Sequence, residues 1–510
     1  MTRLQRLVVY SAVAINGAAV MALELLGTRI VGGFYGTSLF VWGALISVTL
    51  VAMAVGYVIG GALAKRLALP IASAVASVLV ALVPPLARTV LAATDGLGAR
   101  SGALTSAALL FFLPIAALSM TGPVAISLLL KDVERSGKVS GTTLALSTAG
   151  SVVGTLLLAF ILLPVMRTTV VIDGLAGILL AQAVVLWVSL SRPTRKREAI
   201  ALLVCAIGTG GAWAQRLRAT PETSRFDVRF EKENHYGRLR VVDDQVMSIR
   251  WMLQDSSLIS AARRGDPRPV FEYLNLVEAL LGLAPAAKSA LVVGLGAGHV
   301  PRTFEGYGLE VDSIEINPAV VEAAKEYFGF APHGRVVVGD ARFEVRHLGR
   351  QYDFIVHDCF SGGTVPPHVL SLEMMEELRA RLADDGILVT SFFGDTTGED
   401  SRAAKTLLKT LQAAFPYVRV LVPRPDTQPI DIAFVASRKP IELGHLRPEW
   451  YRTATAGLLA QQLGELEISI DARDAEVALD DFNPLDLYQA KRAERYRAFL
   501  VEKLGVGLFL

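Results

Sequence analysis

Six apolar stretches fill most of the first 190 residues, running from Leu7 to Leu26 and over residues 38–63, 67–93, 103–130, 140–164 and 168–190. Each is long enough to cross the roughly 30 Å of a bilayer's hydrocarbon core. Such runs satisfy their own backbone hydrogen bonds only as helices, so the pattern predicts an α-helical transmembrane bundle. The first run follows Arg3 and Arg6, as the core of a signal peptide would, but its length and the lack of a small-residue cleavage site favour a retained span. A seventh stretch, Ala199 to Ala214, has 16 residues with three glycines and is marginal for crossing.

Charge divides the chain in the same place. Residues 1–215 hold 15 Lys/Arg and 6 Asp/Glu, and the remaining 295 hold 35 and 42. Mean hydropathy of +0.45 therefore averages a part suited to lipid with a part suited to water. Neither half carries the dense positive surface that nucleic acid requires. Only Cys205 and Cys359 occur, too few for a disulfide framework or a Cys-based zinc site.

The basic residues also set an expected orientation. With the N-terminus inside, the inner loops hold eleven Lys/Arg, among them Lys65, Arg66, Lys131, Arg135 and the Arg192–Arg197 group. The outer loops hold only Arg29, Arg88, Arg100 and Arg167. Six spans return the chain to the cytoplasm at Ser191, which predicts a multi-pass inner-membrane protein with a cytoplasmic second half. A crossing at 199–214 would reverse that side. Glu24, Arg29 and Asp173 lie within the spans; they either line a polar path or anchor helix ends, and snorkelling favours anchoring. Gly122-Pro123 and Pro84-Pro85 are expected to mark kinks.

From Phe226 short β-like runs follow one another, Phe226–Phe230, Arg238–Val242 and Val246–Leu253, and predict a small antiparallel sheet. After a helix near Val270–Leu281, strands at 290–293, 311–316, 335–338, 354–357 and 387–393 alternate with helical stretches. That alternation predicts a parallel α/β sheet covered by helices on both faces. The expected divisions are a six-span bundle over 1–190, a linker over 191–222 containing the seventh stretch, the small sheet over 223–268, a Rossmann-like domain over 269–440 and a helical extension over 441–510.

The strand at Ser289–Val293 runs straight into Gly294-Leu295-Gly296-Ala297-Gly298 and a helix. Glycines let backbone turn tightly against a ligand, and the helix start offers free N–H groups. Glu315 ends the next strand, where a carboxylate can accept both hydroxyls of a ribose; the alternative is a cap before Pro318. Asp340, followed by Ala341, comes after the third strand, where it can accept from an adenine amino group or cap a helix. These features converge on the C-terminal edge of the sheet, where open α/β sheets bind ligands.

Gly-x-Gly-x-Gly, a carboxylate after strand two and Gly339-Asp340 after strand three are similar to the S-adenosylmethionine site of class I methyltransferases. Tyr352-Asp353-Phe354-Ile355-Val356-His357-Asp358, a Gly/Pro-rich loop, and then Leu370-Ser-Leu-Glu-Met-Met-Glu-Glu-Leu resemble the spermidine synthase family. Tyr236, Asp255 and Tyr273 are further matches. Ala22–Arg29, Trp42 and Gly56–Gly61 resemble the membrane half of bacterial proteins that fuse such a bundle to a spermidine synthase-like domain, and Asp480–Pro484 extends the likeness towards the end of the sequence.

The resemblance implies S-adenosylmethionine or its decarboxylated form as co-substrate and no metal. It implies Asp358 as the base or orienter of an attacking amine and Tyr273 as a second catalytic residue, and Tyr236, Asp255 and Ser361 as contacts of a small amine or amino-acid substrate. It also implies a homodimer through the small sheet. Several expected acids are missing: Ala297 stands inside the glycine loop, Ser361 three residues after Asp358, and Pro269-Val270 before the helical tyrosine. The glutamine expected after Asp255 is Ile259. The leading reading is thus an aminopropyltransferase releasing methylthioadenosine; a lyase or cyclase acting on the same side chain, a methyltransferase, and a transporter with a nucleotide-sensing domain stay open. Glu272, His299, Asp312, His357, Cys359, Asp480 and Asp481 are further polar residues near the expected site, with His357 and Cys359 on the strand face opposite Asp358.

Overall fold

The computed structural model describes residues 1–36, 39–130, 133–190, 195–218, 225–360, 364–424, 429–444 and 446–509. Two compact units divide the chain: Met1–Glu222 with Glu233–Arg238 and Leu504–Leu510, and Thr223–Lys232 with Leu239–Lys503.

The first unit is built from helices α1 (Arg3–Tyr35), α2 (Leu39–Leu63), α3 (Leu69–Ala81), α4 (Val83–Thr94), α5 (Gly98–Leu129), α6 (Ser136–Leu157), α7 (Thr168–Ser189) and α8 (Arg195–Arg218). Six helical segments among the described residues are long and apolar enough to cross a membrane: Arg3–Tyr35, Phe40–Leu63, Val83–Leu129, Ser136–Leu162, Thr168–Ser189 and Lys196–Gln215. They are not the six expected. The stretch over 67–93 is two helices meeting at Leu82 next to Pro84 and Pro85, because proline cannot donate to the preceding turn and its ring clashes with it. α5 in contrast runs unbroken through Pro114 and Pro123. The region expected to be a linker, 191–222, contains the 24-residue α8, whose polar ends lengthen the helix beyond its apolar centre.

Within this unit α1 packs on α6, α2 on α5 and α3 on α7. Small residues set the closest of these approaches, since a Cβ on Gly150 would lie 2.0 Å from the Ala14 carbonyl oxygen of α1. A buried polar chain crosses the bundle: Gln182 Nε2 donates to Asn16 Oδ1 at 3.1 Å and to Ser73 Oγ at 3.1 Å, and Asn16 Nδ2 donates to Thr121 Oγ1 at 2.8 Å. Glu24 hydrogen-bonds Thr49, and Arg29 donates to the carbonyls of Asn234 and His235 at 2.8 and 2.7 Å.

The second unit begins with strands β1 (Phe226–Asn234), β2 (Gly237–Asp244), β3 (Ile249–Gln254), β4 (Ser257–Arg263) and β5 (Asp266–Pro269), paired in sequence order. The small sheet therefore has five strands where sequence patterning finds three; β5 has only four residues, and β4 lacks a clean alternation. Next come α9 (Tyr273–Leu280), β6 (Ser289–Val293), α10 (His299–Gly306), β7 (Glu310–Glu315), α11 (Pro318–Phe328), β8 (Val336–Val338), α12 (Ala341–His347) and β9 (Tyr352–His357). α13 (Leu372–Arg381), β10 (Leu382–Gly394), α14 (Arg402–Ala414), β11 (Tyr417–Leu421), β12 (Ile430–Ser437), α15 (Ala454–Gln461) and α16 (Leu485–Leu504) complete it.

The main sheet has the order β11-β12-β10-β9-β6-β7-β8. The five strands from β10 to β8 are parallel, whereas β12 is antiparallel to both β10 and β11. The sheet is thus mixed at one edge, not wholly parallel as expected. One face is covered by a core that includes Met374, Leu378, Leu407 and Leu411, the other by one that includes Leu276, Leu280, Val300 and Phe304. Residues after 440 are integral to both cores, with Ile470, Ala478 and Leu485 in the first and Tyr451, Ala456 and Leu463 in the second.

Candidate active site

Strand β6 ends at a loop that only glycine can follow. Gly294, Gly296 and Gly298 have φ of 95°, 52° and 73°, the region that L-residues with a Cβ avoid. At Gly294 there is also no space, since a Cβ would lie 2.1 Å from the Asp358 carbonyl oxygen. At Gly296 a Cβ would sit in ordinary contact with Ile259 and Ser260, nothing closer than 3.6 Å, so there the backbone conformation and not the space calls for glycine. Gly298 then opens α10 from a left-handed conformation.

Glu315 closes the loop from the side. It is 9% exposed at the end of β7, and its carboxylate accepts from the backbone N–H of Leu295 at 3.1 Å and of Asn317 at 2.9 Å. Burial pushes its pKa up, and backbone donors from Asn317, Leu295, Gly296 and Ile316 oppose that. It does not cap α11; Asn317 does, accepting from Ala319 N–H at 3.0 Å, with Pro318 at the first helical position. Glycine turn, helix start and carboxylate together fit a ribose-bearing nucleotide ligand.

Asp358 follows β9 directly, its N–H donating to the Val293 carbonyl at 2.8 Å. Its Oδ2 accepts from the Tyr273 hydroxyl at 2.5 Å, a short, charge-assisted contact supplied by the first residue of α9. Its Oδ1 is buried and accepts no hydrogen bond from the described residues. Burial raises the Asp358 pKa, while Tyr273 and nearby Ser391 act in the opposite direction. The Tyr273 hydroxyl is held far above its ordinary value by burial and by the Asp358 and Asp431 charges. Tyr273 therefore donates to one oxygen of Asp358, and the other oxygen is unclaimed among the described residues.

Asp431, which sequence reasoning did not single out, lines a small cavity with Tyr273 and Ser391. Its pKa is raised to about 7 by burial and by the charges of Asp358 and Glu272. The only local signal was an acid in the otherwise apolar run Ile430–Val435.

Asp340 caps α12, accepting from Arg342 N–H at 2.9 Å and Phe343 N–H at 3.3 Å, while Oδ2 faces His368 Nε2 at 3.3 Å. The capping alternative for Asp340 is thus realised, with the buried Ala341 beginning that helix at the same sheet edge. Asp255 occupies the β3–β4 turn at φ 52°, and in that turn Gln254 is 3.5 Å from the Asn317 side chain. Tyr236 lies in the β1–β2 turn and falls in the first unit. Ser361 is outside the described residues.

Ala297 is 1% exposed and packs with Leu239, Val241, Met252 and Phe328, so an acid there would be buried among apolar side chains. His357 is buried with its pKa lowered to about 4, and burial holds the Cys359 thiol well above its ordinary value; neither supplies a charged reactive group. Asp312 is tied to Tyr352 at 2.7 Å and Arg335 at 2.9 Å, and Asp480 to Arg342 at 2.6 Å and Ser371 at 2.5 Å, which makes both structural.

Residues 274–436 match the family model described as spermine/spermidine synthase domain. The chain is 34% identical over 146 residues to a polyamine aminopropyltransferase of Vibrio vulnificus, covering 27% of this chain and 49% of that protein. It is 30% identical over 193 residues to an N-terminal histidine N-methyltransferase of Emericella nidulans, covering 36% and 34%. The chain thus spans half or less of the length of these curated relatives. Among solved structures, a probable spermidine synthase from Corynebacterium glutamicum is similar at 19% identity and TM-score 0.40, over 51% of this chain and 97% of that one.

Proposed function

On the premise that residues 274–436 form a spermine/spermidine synthase domain, we propose that the protein is an aminopropyltransferase that uses S-adenosylmethionine or its decarboxylated form and releases methylthioadenosine. The observation that carries this reading is the Asp358–Tyr273 pair beside the glycine loop. One carboxylate oxygen is fixed by Tyr273 at 2.5 Å, and the other is buried and unclaimed among the described residues. That is the disposition of a group that orients an amine and accepts its proton.

In the proposed step Asp358 takes a proton from the acceptor's ammonium. The freed nitrogen lone pair forms a bond to the side-chain carbon next to the sulfonium, the carbon–sulfur bond breaks, and its electron pair stays on sulfur as a neutral thioether. Tyr273 keeps Asp358 ionised by donating to it. Glu315 and the Gly294–Gly298 turn hold the nucleoside, with Asp340 and Ala341 at the adenine end. The apolar helices anchor the enzyme as a multi-pass membrane protein with the second unit in the cytoplasm, and pairing through the small sheet would make it a homodimer.

One observation favours methyl transfer instead: the similarity to an N-methyltransferase. Product analysis of the purified full chain with labelled co-substrate and a panel of amines separates the two. Methylthioadenosine formation, lost by roughly 100-fold or more in Asp358→Asn, supports aminopropyl transfer; S-adenosylhomocysteine as the product overturns it.

A further inference from the structure

The helical unit holds a polar cavity that the chemistry at Asp358 does not use. Its volume is about 50 Å³, and its polar wall is made by Asn16 of α1, Tyr57 of α2, Ser119 and Thr121 of α5, and Ser147 and Ser151 of α6. Backbones are pressed together at its margin, since a Cβ on Gly17 would lie 2.2 Å from the Ser147 carbonyl oxygen. Glu24 is one helical turn beyond Val20 and Met21 of the lining, on the same face of α1, and its hydrogen-bond partner Thr49 is one turn from Met53 of the lining on α2. Farther back on α1, Asn16 joins the cavity to Gln182 of α7. The polar row from Asn16 to Glu24 rises about 12 Å along α1, against roughly 30 Å of hydrocarbon.

Hydrogen bonding along this row leaves oxygen acceptors in excess. Thr121 donates its hydroxyl proton to the Leu118 carbonyl at 2.6 Å while accepting from Asn16. The Ser151 hydroxyl points its proton at the carbonyls of Gly17 and Ser147, both at 3.0 Å. Gln182 Nε2 is engaged by Asn16 and Ser73, and its Oε1 is buried with no donor among the described residues. Ser119 Oγ, in the cavity wall of a residue only 5% exposed, has no partner among them either. Alanine or leucine at these positions would bury the same helix faces without desolvating a polar atom, so unclaimed oxygens inside a bundle point to a ligand that donates. Glu24 adds a negative charge, and Arg29, the next charged residue along α1, is engaged by the Asn234 and His235 carbonyls.

We propose that this cavity is a binding site for a small N–H cation, ammonium or methylammonium, whose hydrogens are accepted by Ser119 Oγ and the neighbouring oxygens while Glu24 supplies the counter-charge. Such a cation carries donors only, which matches a wall whose own hydroxyl protons already point at backbone carbonyls. A cavity of about 50 Å³ holds a few water-sized groups, each needing roughly 10–15 Å³. Met21 and Met53 in the lining accommodate a methyl group. The site is independent of the reaction at Asp358 and gives the helical unit a ligand of its own.

The test is equilibrium binding of labelled methylammonium to the full chain in lipid nanodiscs, read by scintillation proximity in sodium buffer. Wild type should show a single saturable site, displaced by ammonium and roughly 10-fold less well by potassium, a cation of similar radius without an N–H. Ser119→Ala removes an acceptor and should weaken binding roughly 10-fold. Glu24→Gln should weaken it by a similar factor, and Glu24→Asp should keep most of the affinity. Monodisperse elution and wild-type helix content by circular dichroism in each variant separate loss of the site from loss of the fold. Absence of saturable binding to the wild type, equal displacement by potassium, or undiminished affinity in Ser119→Ala or in Glu24→Gln overturns the assignment.

Discussion

Asp431→Asn should stabilise the ligand-free protein, and only above mildly acidic pH. The wild-type carboxyl titrates at about 7 in the folded state against 3.8 ordinarily. Below 3.8 it is protonated in both states and contributes nothing unfavourable. Between 3.8 and about 7 the unfolded chain gives up the proton while the folded protein keeps it, so stability falls as pH rises; above about 7 the loss is complete. At 1.36 kcal/mol per pH unit the interval is worth about 4 kcal/mol, and solvent reaching this partly open side chain lowers the expected value to roughly 1–3 kcal/mol. Asparagine has a similar shape and no titration, so it should remove this penalty. Thermal unfolding of wild type and variant at pH 4.5 and pH 8, without amine, reads the effect. The variant's advantage in Tm should be several degrees at pH 8 and small at pH 4.5. An advantage of the same size at both values, or none at pH 8, would show that Asp431 is not an acid held among like charges.

Tyr273→Phe removes the donor that keeps Asp358 ionised, so kcat should fall roughly 5- to 30-fold; the acid limb of the pH–rate profile should move to higher pH, because the Asp358 pKa rises further. Gly294→Ala places a methyl 2.1 Å from the Asp358 carbonyl at a φ of 95°, and calorimetry should show S-adenosylmethionine binding lost together with a lower Tm. Glu315→Gln should weaken co-substrate binding roughly 10-fold or more, since a buried carboxylate that accepts two backbone N–H groups becomes an amide with one acceptor oxygen. In the helical unit, Gly150→Ala should lower the Tm of the purified protein by destabilising the α1–α6 contact by about 1–3 kcal/mol.

Local chemistry explains why so much of this molecule can be read from its sequence. Apolar runs of membrane-crossing length dictate helices because a single continuous run satisfies its own backbone hydrogen bonds in hydrocarbon only as a helix. Gly294-x-Gly-x-Gly298 dictates a left-handed turn because its φ values exclude side chains, and Asp358 and Tyr273 were each legible as catalytic candidates through their motif contexts, whereas their hydrogen bond was not. What stayed hidden depends on neighbours distant in sequence. A proline pair that splits a long apolar stretch looks the same in sequence as the prolines that α5 carries without interruption, so packing alone distinguished α3 and α4 from one span. The antiparallel β12 has the same apolar pattern as a parallel strand, and only its pairing with β10 revealed its direction.

Ala297 and Asp431 mark the division most clearly. Sequence by itself determined that an expected acid is absent from the glycine loop; tertiary structure determined why, since the small sheet covers Ala297 with Leu239, Val241 and Met252. Sequence offered Asp431 as one acid in an apolar strand. Its placement one strand away from Asp358 was decided by the register of β9, β10 and β12, because the side-chain period of two fixes which face each residue shares.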